Sequence, residues 1–318
     1  MVQIGYALSS EEHPPLDLVR QARRAEDAGF PFALISYHYH PWVDAQGQSP
    51  FVWSVLGAIA AGTERLRVGT GVTCPILRLH PAIVAQAAAS TAALMPGRFF
   101  LGLGTGERLN EHILGDTWPE PAVRLEMLQE AVEVIRTLWE GETASHYGEY
   151  YTVENARLYT LPAAPPPILL AARGPGAARV AGEVADGLIN SDPQAEPVKV
   201  FEASGGDGKP KYGQLTVCWA ATDAAARETA YRYWPNGGLK GPLSTELALP
   251  EHFQEAAQMV TEADVAESVV CGPDAERHRA AIEEFAAAGY DHVYVHQVGP
   301  DQEGFFRFYE REVLPRYR

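Results

Sequence analysis

The chain has 318 residues, a formal net charge of −16 and 46% hydrophobic residues. This length suits one large barrel or two ordinary domains, and the hydrophobic share is enough for a sizeable core. The negative charge argues against nucleic acid or an anionic membrane as a general partner. Three cysteines without a CxxC spacing argue against a disulfide framework or a cysteine-based metal site, and they fit a reducing compartment.

The sequence predicts a cytoplasmic protein. Its first residues, MVQIGYALSSEEHPP, have no basic start and no long apolar run, so we expect no secretory signal. No stretch contains the roughly 18 apolar residues of a membrane helix. We therefore expect small molecules as partners, with neither nucleic acid nor membrane involved.

Strand-like and helix-like runs alternate along most of the chain. Strands are predicted at 2–8, 32–36, 66–72, 98–104, 168–172, 187–190, 215–220 and 292–296. Helices are predicted at 16–28, 52–62, 81–94, 122–140, 176–184, 223–233, 275–288 and 304–313. This alternation favours an α/β fold, a (β/α)8 TIM barrel in a single domain over residues 1–318; the alternative is an open doubly wound sheet.

Two segments interrupt the alternation, and we expect both as insertions in barrel loops. Residues 143–159 are rich in aromatic and β-branched residues, which predicts an antiparallel hairpin. Residues 234–260 are rich in proline and glycine and then become helical.

Histidines and aromatic residues follow the second predicted strand, in the run SYHYHPW that starts at Ser36. In α/β barrels the carboxyl ends of the strands carry the chemistry. His38 and His40 have a spacing that two metal ligands can share, but no HExxH motif or cysteine accompanies them, so no metal site is predicted. A histidine here suits a general base. The alternative is aromatic packing with one histidine on the surface.

Glycine-rich turns follow three other predicted strands. The run RFFLGLGTGERLN over residues 98–110 leads from a buried strand to a single carboxylate, Glu107. Its glycines allow close approach of a flat or anionic group, although a plain turn with a solvated glutamate is the alternative. The run VGTGVTCP over residues 68–75 is a weaker signal of the same kind.

A third glycine-rich turn, AARGPGA over residues 171–177, opens a predicted helix. Small residues at a helix N-terminus expose backbone N–H groups, which is typical of phosphate sites, and Arg173 adds a cation. A plain strand-to-helix connection is the alternative. The run GLGTG lacks the GxGxxG spacing of dinucleotide-binding folds, and no P-loop lysine is present.

Several motifs together resemble the luciferase-like superfamily. They are ISYHYHPW, VGTGVTCP, HPAIVAQAAAS, RFFLGLGTGERLNEH, ILLAARGPGAARVAGEVADGLI and VHQVGPDQEGFFRFYEREVLP. More narrowly, the chain resembles the branch of F420-dependent dehydrogenases related to F420-dependent glucose-6-phosphate dehydrogenase. The resemblance covers essentially the whole chain and implies a TIM barrel, usually a homodimer. It also implies that coenzyme F420, a deazaflavin, binds at the carboxyl ends of the strands.

The resemblance implies direct hydride transfer between a substrate carbon and C5 of F420. In this reading His38 deprotonates the substrate hydroxyl, Trp42 stabilises developing charge, and Glu107 serves N1 of the deazaflavin. A non-prolyl cis peptide is implied between Gly71 and Val72. The implied cofactor contacts are Tyr37, Gly71, Val72, Cys74, Thr105, Gly106, Asn110, Arg173, Gly174, Gly176 and Ala177.

The implied substrate positions are Ser191, Gln194 and Glu267. The chain departs from the pattern of this branch beside the deazaflavin ring and at the substrate positions. Tyr37 stands where the family usually has aspartate. Gln194 stands where sugar-phosphate enzymes carry lysine, and Glu267 falls near another basic position. A phosphate dianion buried beside a carboxylate costs several kcal/mol. The sequence therefore predicts a neutral alcohol, a carbonyl or an enone as substrate, unless Lys240 enters the pocket.

Two other functions remain open at this point. The first is an FMN-dependent monooxygenase of the same superfamily. The second is a barrel that binds the cofactor but has lost the chemistry, an alternative that Tyr37 supports.

Overall fold

The parallel strands of the chain form a closed ring in a computed structural model that describes residues 2–318. The strands are β1 Gln3–Leu8, β2 Phe32–Ile35, β3 Arg67–Thr70, β4 Phe99–Leu103, β5 Ala144–Tyr147, β6 Thr152–Ala156, β7 Ile168–Ala171, β8 Gly187–Asn190, β9 Lys211–Cys218, β10 Val270–Cys271 and β11 His292–Gln297.

The α-helices mostly follow the strands in alternation. They are α1 Pro15–Ala28, α2 Val52–Gly62, α3 Pro81–Leu94, α4 Arg108–Glu111, α5 Pro121–Trp139, α6 Pro175–Val184, α7 Ala195–Phe201, α8 Asp223–Tyr233, α9 Leu243–Glu246, α10 Pro250–Ala257, α11 Glu262–Ser268, α12 Ala275–Ala287 and α13 Gln302–Phe308. Within residues 2–318, no helix has both the length and the apolar character needed to cross a bilayer.

The ring confirms the predicted (β/α)8 barrel. In the order β1, β2, β3, β4, β7, β8, β9 and β11, each strand pairs in parallel with the next, and β11 pairs back onto β1. The short strand β10 extends the pairing at the carboxyl end of β9. The predicted hairpin is also present, as the antiparallel pair β5 and β6.

Most predicted elements agree with the structure to within one or two residues, but the predicted strand 215–220 begins earlier, at Lys211. The part that was not predicted contains Gly213, where glycine allows close packing, because a Cβ there would lie 2.3 Å from the ring of Phe285. The prediction also missed the short helices α4, α7 and α11, which have too few turns for a clear periodicity. The closing helix begins at Gln302 and continues as a π-helical turn over Tyr309–Val313.

Large side chains fill the interior of the barrel towards the amino ends of the strands. Tyr212 packs between Phe100 and His292, with ring centroids 5.4 Å and 4.3 Å away. Phe32 fits because β1 carries glycine at position 5, where a Cβ would lie 2.3 Å from its ring. This packing closes one end of the barrel, so the open space for chemistry is at the carboxyl ends of the strands.

Candidate active site

His38 lies in the loop just past the carboxyl end of β2, a strand whose residues Phe32 and Leu34 pack inside the barrel. Its side chain is 9% exposed, and Nε2 lies 3.2 Å from Glu11 Oε1 and 4.0 Å from Glu107 Oε2. Its Nδ1 lies 3.2 Å from the carbonyl oxygen of His40. Each ring nitrogen therefore faces an oxygen atom that can accept a hydrogen bond.

Glu11 is a site residue that the sequence analysis missed. It lies in the loop after β1, its side chain is 3% exposed, and Ser9 and Ser36 donate hydrogen bonds to its Oε2. These bonds hold the carboxylate and leave Oε1 free to face His38. The signal was present in the sequence, because the polar run SSEEH directly follows the first predicted strand.

A second buried pair of histidine and glutamate lies beside the first. His296, from the end of β11, is bonded through Nε2 to Glu12 Oε2 at 2.7 Å, and both side chains are 3% exposed. Burial alone would raise the pKa of Glu12, but the hydrogen bond from His296 and its charge hold that pKa below its usual value. The neighbouring carboxylates Glu11 and Glu12 thus hold histidines from the two strands that flank β1.

Trp42 contacts both His38 and the insertion over residues 234–260, which we call the lid. Its ring centroid lies 4.9 Å from that of His38 and 5.1 Å from that of Phe253. Phe253 is fully buried in a small apolar cluster with Val43 and Leu109. The lid therefore packs on the barrel next to His38, as expected for an insertion in a barrel loop.

Asn110 joins the loops that carry His38 and Glu107. Its Nδ2 donates to Glu107 Oε2 at 3.1 Å, while its Oδ1 accepts from the backbone N–H groups of Tyr39 and His40 at 2.8 and 3.2 Å. Glu107 is 31% exposed, in contrast to the buried Glu11. Asn110 thus fixes the spacing of the two loops and leaves Glu107 accessible to a ligand.

The glycines after β4 allow close packing of neighbouring side chains as well as close approach of a ligand. The Gly71–Val72 peptide is cis, which confirms the expectation from the resemblance. A Cβ on Gly104 would lie 2.7 Å from Val72 Cγ2, and one on Gly106, at φ +72°, would lie 2.5 Å from Cys74 Sγ. Val72 and Cys74 therefore press against this turn and require glycine there. Thr105, between the two glycines, is partly exposed.

The Tyr37 side chain does not join His38 inside the barrel. It packs in the layer between sheet and helices, with its ring 6.0 Å from Phe51 and 6.4 Å from Trp53. The Arg78 guanidinium lies 4.7 Å from the ring centroid and also pairs with the buried Glu111. Burial raises the pKa of Tyr37. The ring of Tyr37 thus lies under a cation in this layer, outside the barrel interior.

The turn before α6 leaves open space for a ligand. A Cβ built on Gly174 or Gly176 meets no atom of the described chain within 4 Å. Gly174 caps the helix, Ala177 lies in its first turn, and Arg173 beside it is 62% exposed. Free N–H groups, a cation and open space together fit an anionic group at this helix N-terminus.

The three predicted substrate positions lie on the surface. Ser191 and Gln194 are exposed in the segment after β8. Glu267 is 71% exposed and lies 3.6 Å from Lys240, which is itself 80% exposed. The structure therefore does not bring Glu267 or Lys240 to His38. An exposed and paired carboxylate is a weak argument against a phosphate in the pocket.

The two histidines of the SYHYHPW run do not converge. His40 Nδ1 faces the carbonyl oxygen of Leu109 at 2.9 Å, and its ring stacks on His112. Within the described part of the chain, no group of three or more His, Cys, Asp and Glu side chains is arranged to hold a metal ion.

Comparisons with known proteins agree on one family. The profile of the luciferase-like monooxygenase family matches residues 1–292. An F420-dependent glucose-6-phosphate dehydrogenase of Microbacterium testaceum is 35% identical, with 100% of this chain and 98% of the relative covered. An F420-dependent hydroxymycolic acid dehydrogenase of Mycobacterium tuberculosis is 38% identical, with 99% and 88% covered.

The structural comparison also finds an F420-dependent dehydrogenase. A solved F420-dependent secondary alcohol dehydrogenase, in complex with an F420–acetone adduct, has a TM-score of 0.92 at 32% identity, with 100% and 99% of the two chains covered. Because relatives of comparable identity include glucose-6-phosphate dehydrogenases, the expectation against a sugar phosphate is not supported.

Proposed function

The chain belongs to the luciferase-like family, and on that premise we propose that it is an F420-dependent oxidoreductase. It would move a hydride between C5 of F420 and the carbon of an alcohol or carbonyl substrate. The observation that carries the proposal is His38, held between Glu11 and Glu107 beside Trp42 at the carboxyl ends of the strands. The relatives named above differ in substrate, so a sugar phosphate stays within the proposed alcohol class.

The residues present fit a cofactor with a flat ring and an anionic tail. The Gly71–Val72 turn, Glu107 and Asn110 would hold the ring, and the open turn at Gly174 and Gly176 would hold a phosphate of the tail. When bound, F420 supplies the hydride acceptor or donor at C5. The protein supplies position and control of the protons.

The contacts of His38 match the state that forms as an alcohol loses its proton. Once Nε2 has taken that proton, Glu11 accepts a hydrogen bond from it, while the His40 carbonyl accepts the one from Nδ1. The two acceptors thus orient the ring and would stabilise the charge that it gains during proton transfer. Trp42 covers one side of the imidazole and limits the access of water.

Titration of the protein with F420 and with FMN, followed by fluorescence, tests the choice of cofactor. We expect tight binding of F420, and FMN binding at least about tenfold weaker, a difference of about 1.4 kcal/mol. Tight FMN binding without a response to F420 would instead support the monooxygenase alternative. Binding of F420 without turnover on a panel of alcohols that includes glucose 6-phosphate would support a barrel that only binds the cofactor.

A homodimer is the assembly that we propose. The stretches 51–62 and 81–95 contain no charged residue, although the chain has a net charge of −16. Phe51, Ile83 and Leu94 are 57%, 57% and 60% exposed on this pair of segments, which includes α2 and α3. An uncharged apolar face is where two acidic copies meet without repulsion between like charges.

Light scattering after size exclusion checks the dimer. We expect the mass of two 34.6 kDa chains for the wild type and a shift towards one chain for Ile83→Lys. Tyr159→Lys is the matched control, since Tyr159 is 88% exposed but lies outside α2 and α3. A single-chain mass for the wild type would contradict the proposal.

A further inference from the structure

A buried arginine lies where the lid meets α5. Arg124 is 4% exposed, and its Nη1 and Nη2 lie 3.2 and 3.3 Å from Glu246 Oε1 on the lid. Its Nε is buried and has no hydrogen-bond partner among residues 2–318. A buried guanidinium with an unused donor is costly, because the group has left water without regaining all its hydrogen bonds.

A second unused donor lies next to it. The Arg124 guanidinium lies 4.2 Å from the ring centroid of Trp118. The indole Nε1 of Trp118 is also buried and, within the described chain, has no acceptor. The stacked ring and guanidinium therefore carry two buried N–H groups that no acceptor of the described chain uses. Oε1 of Glu246 cannot accept hydrogen bonds from all the N–H groups of Arg124 and Trp118.

The same short lid helix also reaches the turn before α6. Arg173 Nη1 lies 3.4 Å from Ser244 Oγ, two residues before Glu246 on α9. The single turn of α9 thus contacts Arg173 through Ser244 and Arg124 through Glu246. Glu246 is 42% exposed, so it can turn out to solvent if another anion replaces it beside Arg124.

We propose that Arg124 and Trp118 form an anion subsite that takes a carboxylate or phosphate group of a bound small molecule in exchange for Glu246. The inference rests on the proposed function, because F420 carries a phosphate and glutamate carboxylates on its tail. A substrate phosphate has the same chemistry and is the other source. In either case Glu246 occupies the subsite until the ligand arrives and then leaves it towards solvent.

The test compares F420 with its truncated form F0, which has the same ring but lacks the phosphate and the glutamates. Dissociation constants are measured by fluorescence for the wild type and for Glu246→Gln. Removal of the internal anion should tighten F420 binding by about three- to tenfold and leave F0 binding unchanged. Glu267→Gln is the matched control, because it removes another carboxylate next to the lid, one that pairs with the exposed Lys240.

A second variant keeps the test decisive. Arg124→Gln added to Glu246→Gln should abolish the gain, and thermal unfolding verifies that both variants fold. An equal change for F420 and F0 would overturn the inference, since it would show that Glu246 only latches the lid. If instead glucose 6-phosphate or inorganic phosphate competes selectively in Glu246→Gln, the subsite stands and the substrate supplies the anion.

Failure of this inference and failure of the proposed function look different. If neither F420 nor F0 binds, the proposed cofactor is wrong. Inorganic phosphate can still be titrated against Glu246→Gln by isothermal titration calorimetry. If F420 and F0 both bind and the ratio of their dissociation constants is the same in every variant, the cofactor assignment holds but the F420 tail does not bind at Arg124. If, in addition, phosphate shows no selective binding to Glu246→Gln, the subsite itself is wrong.

Discussion

Replacing His38 by alanine is expected to lower kcat by about 10²–10⁴-fold, the usual contribution of a general base. The structure places its Nε2 between Glu11 and Glu107 beside Trp42, and no other histidine of the described chain contacts both carboxylates. Binding of F420 should change little, because the residues proposed to hold it lie on other loops. Steady-state reduction of F420 by an alcohol measures kcat, and fluorescence titration measures binding.

His40→Ala is the matched control for His38→Ala. It removes a histidine of the same loop whose ring stacks on His112 and whose Nδ1 faces Leu109. We expect this variant to keep most of the activity. If His40→Ala lost activity and His38→Ala did not, the assignment of His38 as the base would be wrong.

Exchange of Glu11 for glutamine is expected to lower kcat by about 10–100-fold with a smaller effect on KM. The amide keeps the shape but removes the charge that stabilises the protonated imidazole, so the loss falls on the transition state. Because two serines already hold the Glu11 carboxylate, the side chain is fixed in place before substrate arrives. Stopped-flow measurement of F420 reduction isolates this step.

Glu12→Gln is the control for Glu11→Gln. It makes the same chemical change in the same loop at the same burial, but Glu12 pairs with His296 instead of His38. Since the hydrogen bond from His296 lowers the pKa of Glu12, this variant should mainly cost stability at neutral pH, where the carboxylate is ionised. Equal losses of kcat in the two variants would contradict a specific role for Glu11.

The barrel follows directly from the sequence because its signals are local. Apolar runs such as Phe99–Leu103 alternate with helices, and the helix spans of α2 and α3 agree with the predicted ones. The candidate residues His38, Trp42 and Glu107 could be found from the sequence because each lies in the loop that follows a predicted strand. The carboxyl ends of parallel strands meet at one end of a barrel, so these loops had to converge.

The parts that the sequence analysis missed depend on contacts between distant segments. The role of Glu11 requires that its loop bend over the end of β2, where Ser36 holds it. The outward direction of Tyr37 follows from strand alternation beside His38, but its partner Arg78 comes from another loop. The exposure of Glu267 depends on how the lid packs, which the pattern of prolines and glycines does not specify.

The most direct test of the central claim is a single measurement of F420 absorbance with the wild-type protein and a panel of alcohols, without added FMN. The proposal predicts that at least one secondary alcohol or sugar phosphate reduces F420, in a reaction that His38→Ala slows by about 10²–10⁴-fold. No reduction of F420 with any alcohol, and no oxidation of reduced F420 with the matching carbonyls, would contradict it.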